Sequence, residues 1–174
     1  MTHPTDSDIG LDCSERDRRK VGIADYEVTS SEDELVTYGL GSCVGVTLFD
    51  KRATVAGLIH IKRPSIDDQN NSQRATFADS GIKLLCQKMN EKGAAQRRLE
   101  AKIVGGFTTW EFTFSDSGGS IGDRNVEQAT ETLAELGIPI IAKDVGGDSS
   151  RSLFFDGGSG ALTIKMESDE CYMI

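Results

Sequence analysis

Two side chains in this 174-residue chain have the types and spacing for nucleophilic chemistry: Cys43 and, further along, His60. A thiol attacks as its thiolate, and an imidazole beside it is the usual means of removing the proton. Cys43 ends the stretch Gly39-Leu40-Gly41-Ser42-Cys43. Glycines at that spacing predict a tight turn or a close backbone approach. A cysteine directly after such a turn has an exposed sulfur, and backbone N–H groups around Gly41, Ser42 and Cys43 are placed to receive an oxyanion. The only other histidine is His3, in a polar N-terminal stretch, so His60 is the candidate base.

The elements that must position this pair are two β-rich runs, residues 42–49 (SCVGVTLF) and 55–61 (VAGLIHI), separated by the polar residues 50–54. Two such runs over so short a connection predict an antiparallel hairpin. If the loop holds an even number of residues, for example Lys51-Arg52 or Asp50 to Ala53, Cys43 falls opposite His60. Their Cβ atoms then stand about 4.5 to 5.5 Å apart on one face of the sheet. An odd loop sends them to opposite faces. On spacing alone a second reading stays open, in which both are packed residues of a β-sheet core.

Other elements follow from pattern. Residues 1–19 are polar and charged and predict a flexible tail, with Cys13 incidental in it. Residues 21–28 and 34–39 open the ordered part. Residues 64–73 (PSIDDQNNSQ) read as a loop. Within 74–92, Ala78, Ile82, Leu85, Cys86 and Met89 share a helical stripe, which makes Cys86 a small buried hydrophobe, and Gly93 is a stop. A strand over 99–104 ends at Gly105-Gly106, and a second amphipathic helix over 123–136 ends at Gly137. Strands over 138–145, 152–155 and 161–166 complete the chain. The expectation is one α/β domain over 20–174, with layered mixed or antiparallel sheets packed between two principal helices.

Composition narrows the function classes. Acidic residues outnumber basic ones, 28 to 19, for a formal net charge of −9. That argues against nucleic-acid binding, which needs a positive face to displace counterions, and against docking on an anionic membrane. No apolar run approaches the roughly 20 residues of a membrane-spanning helix, and the N-terminus lacks a secretory pattern, so no membrane insertion and a cytoplasmic location are expected. Cys13, Cys43, Cys86 and Cys171 are scattered without a CxxC pair or Cys/His cluster, which argues against structural zinc and a disulfide framework. A papain-like protease is disfavoured too, for want of its local cysteine signature and a downstream histidine.

The run TYGLGSCVGVTLFD followed by AGLIHIKRP resembles the chemotaxis protein CheD family, the chemoreceptor glutamine deamidases. The segments LEAKIVGG, IGDRNVE and AKDVGGDSSRS extend the resemblance, in order, over roughly residues 20 to 166. It implies a layered fold with sheets packed between helices, related to cysteine deamidases among bacterial toxins, and places the family's catalytic Cys, His and Thr on Cys43, His60 and Thr37. Thr37 would orient His60. The implied reaction is hydrolysis of glutamine side chains to glutamate in the cytoplasmic region of chemoreceptors through a thioester on Cys43 (a protein-glutamine glutaminase), with neither metal nor organic cofactor. A CheC-type phosphatase is the implied partner, and an adaptor or regulator with secondary or lost activity is the alternative role. Arg124 and Asn125 read as structural residues near a helix start. Two departures from the family pattern stand out. One is Lys62-Arg63 before Pro64, where relatives carry apolar residues; this bears on surface contacts and leaves the chemistry intact. The other is the segment 107–120, whose Trp110, Phe112 and Phe114 read either as core, which their spacing by two on a strand face favours, or as a contact patch.

Overall fold

The computed structural model describes residues 16–65, 73–108 and 119–174. Cys13, His3, Trp110, Phe112, Phe114 and most of the 64–73 loop lie outside the described residues.

Ten strands form two five-stranded sheets. In chain order they are β1 (Arg18–Lys20), β2 (Asp25–Thr29), β3 (Glu34–Leu40), β4 (Val44–Asp50), β5 (Val55–Ile61), β6 (Glu100–Gly105), β7 (Ile140–Val145), β8 (Arg151–Asp156), β9 (Leu162–Met166) and β10 (Cys171–Met173). One sheet has the order β1-β3-β8-β9-β10, the other β2-β5-β4-β6-β7. Each is mixed: β1 runs parallel to β3 and β7 parallel to β6, and the remaining pairs are antiparallel.

The two helices are α1 (Ala78–Glu91) and α2 (Ile121–Glu135). Helix α1 buries the expected stripe of Ala78, Ile82, Leu85, Cys86 and Met89. Helix α2 begins with a capping box, in which Ser120 Oγ accepts from the Asp123 N–H at 3.1 Å and the Asp123 carboxylate accepts from the Ser120 N–H at 3.3 Å. The layered α/β class, with mixed sheets and two principal helices, is as the sequence predicts. The helices themselves pack against each other and against β2, β4, β5, β6 and β7, so both lie on one outer face and do not flank the sheets on either side. No helix among the described residues is long and apolar enough to cross a membrane.

Side-chain alternation on β4 and β5 builds two cores. Val44, Val46, Leu48, Val55, Ile59 and Ile61 face the helices, whereas Phe49, Ala56 and Leu58 face the other sheet, where Leu35, Leu153, Phe155 and Ile164 meet them. Both strands are buried along their whole length, which is why they read as nearly continuous apolar runs.

Two edges depart from expectation. Arg18 and Arg19, within the predicted tail, lie in β1, held by parallel pairing to β3 and by ion pairs Arg18–Glu34 and Arg19–Asp33, each at 2.7 Å. The C-terminal β10 is likewise a short, exposed strand without a periodic signal.

The hairpin turn is set by Asp50. Its fully buried carboxylate accepts from the N–H groups of Arg52 (3.0 Å), Ala53 (3.1 Å) and Ala95 (2.9 Å) and from the Arg98 guanidinium (2.8 Å). Burial alone would raise its pKa, but the Arg98 hydrogen bond and the N–H donors outweigh that and hold it down at about 2. Asp50→Ala removes the acceptor common to all four donors. It should lower unfolding stability by about 3 kcal/mol, measured in urea with an unchanged m-value.

Candidate functional site

The turn of the β4–β5 hairpin comprises Lys51 to Thr54, with Asp50 paired to Val55 and Thr54 in the left-handed region (φ 53°). The loop is even, so the two residues do share a face. The register nevertheless differs by two from the expected one: His60 stands opposite Gly45, and the ladder ends at Val44 opposite Ile61. Cys43 is therefore diagonal to His60 and not directly across from it. The reason is the four-residue turn that the Asp50 carboxylate stabilises. With Gly45 opposite, no side chain from β4 stands in front of the imidazole, and the space above Gly45 is taken by Leu153 and Leu40 of the facing sheet.

His60 belongs to the face that meets the other sheet, and only 1% of it is exposed. Thr37, fully buried on β3, comes to it from across the interface, with its Oγ1 2.7 Å from His60 Nδ1. The same hydroxyl lies 2.8 Å from the carbonyl oxygen of Val21. A carbonyl only accepts, so the single hydroxyl proton goes to Val21 and Nδ1–H must donate to Thr37. Nε2 then carries the lone pair, and it is buried without a hydrogen-bond partner among the described residues. Burial lowers the His60 pKa to about 4, so the ring is neutral at physiological pH.

Cys43 is half-buried in the bend before β4, and its side chain packs against the core between the sheets, the same layer that holds His60. The thiol makes no hydrogen bond to His60 in this structure; such contacts commonly tighten only with substrate. Burial raises the Cys43 pKa, partly opposed by the ammonium of Lys62. The thiol and the imidazole are thus both neutral at rest.

Backbone supports hold the bend. Gly106 N–H donates to Cys43 O at 2.8 Å and Phe107 N–H to Gly41 O at 2.9 Å. Gly105 and Gly106 have φ of 109° and 66°, and a Cβ on Gly105 would lie 2.5 Å from Cys43 O, so glycine is required there. On β3, Gly39 (φ 65°) forms the bulge that separates Thr37 from Leu40 in the pairing with β8. The Cys43 backbone N–H reaches back to its own thiol, which like Lys62 favours the thiolate, and the Ser42 N–H makes no backbone–backbone hydrogen bond among the described residues.

Thr37 and His60 are brought into contact, and Cys43, Ser42 and Gly41 stand at the end of the adjoining strand. Cys86 lies apart, buried under α1 with its pKa raised to about 11 by burial, and Cys171 is exposed on β10. Among the described residues no group of three His, Cys, Asp or Glu side chains is placed to hold a metal ion. Sequence reasoning missed the Val21 carbonyl, which carries no side-chain signal, and the influence of Lys62 on the thiol.

Two outcomes follow. In the folded protein His60 titrates near 4 and unfolded near 6.5, so between these values the unfolded state binds the extra proton. Stability from this group is therefore full above about pH 6.5 and falls by about 3 kcal/mol as pH drops to 4. Denaturation at stepped pH should show this loss in the wild type, and His60→Phe should lack its share. For the thiol, Lys62→Met should move the pH midpoint of Cys43 alkylation by iodoacetamide upward, and an unchanged midpoint would discount the ammonium.

The family model described as CheD chemotactic sensory transduction matches residues 63–166. A probable chemoreceptor glutamine deamidase CheD from Haloarcula marismortui is 44% identical over 149 residues, covering 86% of this chain and 85% of that protein. Proteins of the same name from Clostridium botulinum (43%, covering 84% and 91%) and Caldanaerobacter subterraneus (44%, covering 84% and 91%) are similar to the same degree. Among solved structures, a Neisseria meningitidis protein of the DUF152 family shares the fold, with a TM-score of 0.52 at 10% identity over 75% of this chain and 64% of that one. The chain belongs to the CheD family.

Proposed function

We propose that this protein hydrolyses glutamine side chains of chemoreceptors to glutamate, with Cys43 as nucleophile and His60 as base. The observation that carries the reading is the hydrogen-bonded chain from His60 Nδ1–H through Thr37 to the Val21 carbonyl, which leaves Nε2 free to accept a proton. Similarity to proteins named as probable chemoreceptor glutamine deamidases supports chemoreceptors as the substrate class, and the proposal puts the target glutamines in their cytoplasmic region.

In the first half-reaction Nε2 of His60 takes the Cys43 proton as sulfur attacks the carboxamide carbon. The carbonyl oxygen becomes an oxyanion, received by the backbone N–H groups at Ser42 and Cys43, with Gly41 allowing the bend that presents them. His60, now an imidazolium, donates its proton to the departing nitrogen, which leaves as ammonia. A thioester remains on Cys43. In the second half-reaction Nε2 takes a proton from water, the hydroxyl adds to the thioester carbon, and the thiolate leaves with that proton returned to it. The product side chain is glutamate.

Thr37 acts through His60. It fixes the tautomer and, by passing its own proton to Val21, stays an acceptor for Nδ1–H in both the neutral and the charged ring. It carries no charge of its own, so it stabilises the imidazolium less than a carboxylate would. The lowered pKa of His60 and the raised pKa of Cys43 both favour the neutral pair at rest, which supports proton transfer within the attack step.

Partner binding is a separable role. Tyr38 is exposed one residue from Thr37, with the Phe154 ring edge-on at 6.0 Å and the cations of Arg18 and Lys20 over the two rings. This patch suits a protein surface with acidic groups, and membership of the family supports a CheC-type phosphatase as the partner.

Purified protein incubated with the cytoplasmic part of a chemoreceptor should raise the mass of specific glutamines by the amide-to-acid change, mapped by mass spectrometry. Cys43→Ala should abolish the conversion, and equal conversion by both would refute the assignment. Capture of a CheC-like protein that survives Cys43→Ala would show that binding is independent of the chemistry.

A further inference from the structure

We propose that Asn125 is a positioning residue for the Cys43–His60 pair, clamping the two chain segments where their strand ladder has run out. The inference rests on the reading of Cys43 as nucleophile and His60 as base.

The β4–β5 ladder ends at Val44 and Ile61, one residue short of Cys43 on one side and one beyond His60 on the other. Past that point the segments diverge. The N–H groups of Lys62 and Arg63 both turn to Thr76 O, at 2.9 and 3.0 Å, and carry the chain toward α1. On the other side Gly106 and Phe107 hold the carbonyls of Cys43 and Gly41. Ser42 O and Lys62 O are the carbonyls that remain between these anchors. The Asn125 amide takes both, with Nδ2 donating to Ser42 O at 2.8 Å and to Lys62 O at 3.1 Å. Two carbonyl acceptors require the nitrogen end of the amide to face them. Both its protons are used, so one side chain supplies the cross-link that backbone pairing no longer makes.

Ser42 precedes the nucleophile and Lys62 follows the base by two residues, so the clamp sets the separation of sulfur and imidazole. It is a rigid one. Asn125 lies in the first turns of α2, just after the Ser120–Asp123 capping box, and Gly122 of the same turn rests on the carbonyls of Gly106 and Phe107. Asn125 is also fully buried with Oδ1 lacking a partner among the described residues. Burying an unpaired carbonyl oxygen is unfavourable, and a residue selected only to fill space would be apolar. An asparagine at this position is explained if the two N–H donors are needed.

The test uses the full chain and a chemoreceptor cytoplasmic fragment as substrate. Asn125→Asp keeps the shape and replaces the donors with an acceptor facing two carbonyls. We expect kcat to fall about a hundredfold with KM little changed, as for a misplacement of the order of an ångström. The pH profile of Cys43 alkylation by iodoacetamide should shift, while that of Cys86 and the circular dichroism spectrum stay as in the wild type. Glu131→Ala, exposed on the same helix, should leave kcat unchanged. If Asn125→Asp does not fold, Asn125→Ala carries the same readouts. Wild-type kcat and alkylation profile in either folded variant would overturn the clamp, and so would loss of folding in both, which would mark a residue required by the fold. Cys43→Ser separates the two claims: if it is inactive while Asn125→Asp is unimpaired, the clamp alone fails, and if it is active, the nucleophile assignment itself fails.

Discussion

Thr37 Oγ1 has one proton to give and gives it to Val21. Everything required of His60 depends on that. Were the hydroxyl free to rotate, the imidazole could take either tautomer, and half of the arrangement would present an N–H to the sulfur in place of a lone pair. Pointing the hydroxyl proton at the Val21 carbonyl removes the choice. The carbonyl is itself held, since Val21 N–H donates to Val36 O at 2.7 Å beside β3. A neutral hydroxyl in a dry layer thereby orients the imidazole, the task a carboxylate performs in catalytic triads, without burying a charge.

This constraint explains why two sheets are needed. His60 comes from the sheet that carries the helices and Thr37 from the other, and their contact forms only if the sheets pack face to face with both strands in register. The apolar layer around them, with Leu35, Leu40, Leu58 and Leu153, sets that distance and also excludes water, which lowers the His60 pKa to about 4. A base of so low a pKa is weak, and a thiol with a raised pKa is a reluctant acid. On the proposed reading, such a pair is unreactive toward adventitious oxidation and alkylation at rest and would depend on a bound carboxamide to make proton transfer favourable. The bend that carries Cys43 is held separately, by the glycines at 105 and 106 and by the amide of Asn125.

Much of this was legible in the sequence because side-chain parity is a local property. An even turn places positions 43 and 60 on one face whatever its length, and the helix periodicity of Ala78, Ile82, Leu85 and Met89 needs no tertiary knowledge. Register was not legible, because it depends on how the Asp50 carboxylate caps Arg52, Ala53, Ala95 and Arg98, and two of those partners lie far along the chain. The division of ten strands into two sheets is equally non-local. β1 escaped notice because its residues are charged and exposed, and β10 because three residues are too few to show a period. The Val21 carbonyl is invisible in principle, since any residue supplies one. Asn125 carried a signal only of helix entry, and its partners Ser42 and Lys62 are 83 and 63 residues distant.

The most direct measurement is nitrogen-15 NMR of the histidine side chains, aided by the presence of only two histidines, His3 and His60. The account predicts that His60 at neutral pH shows a protonated Nδ1 and an unprotonated Nε2, and keeps that pattern until the pH approaches about 4. A proton on Nε2 at neutral pH, or an imidazolium forming near the ordinary histidine value of about 6.5, would contradict it.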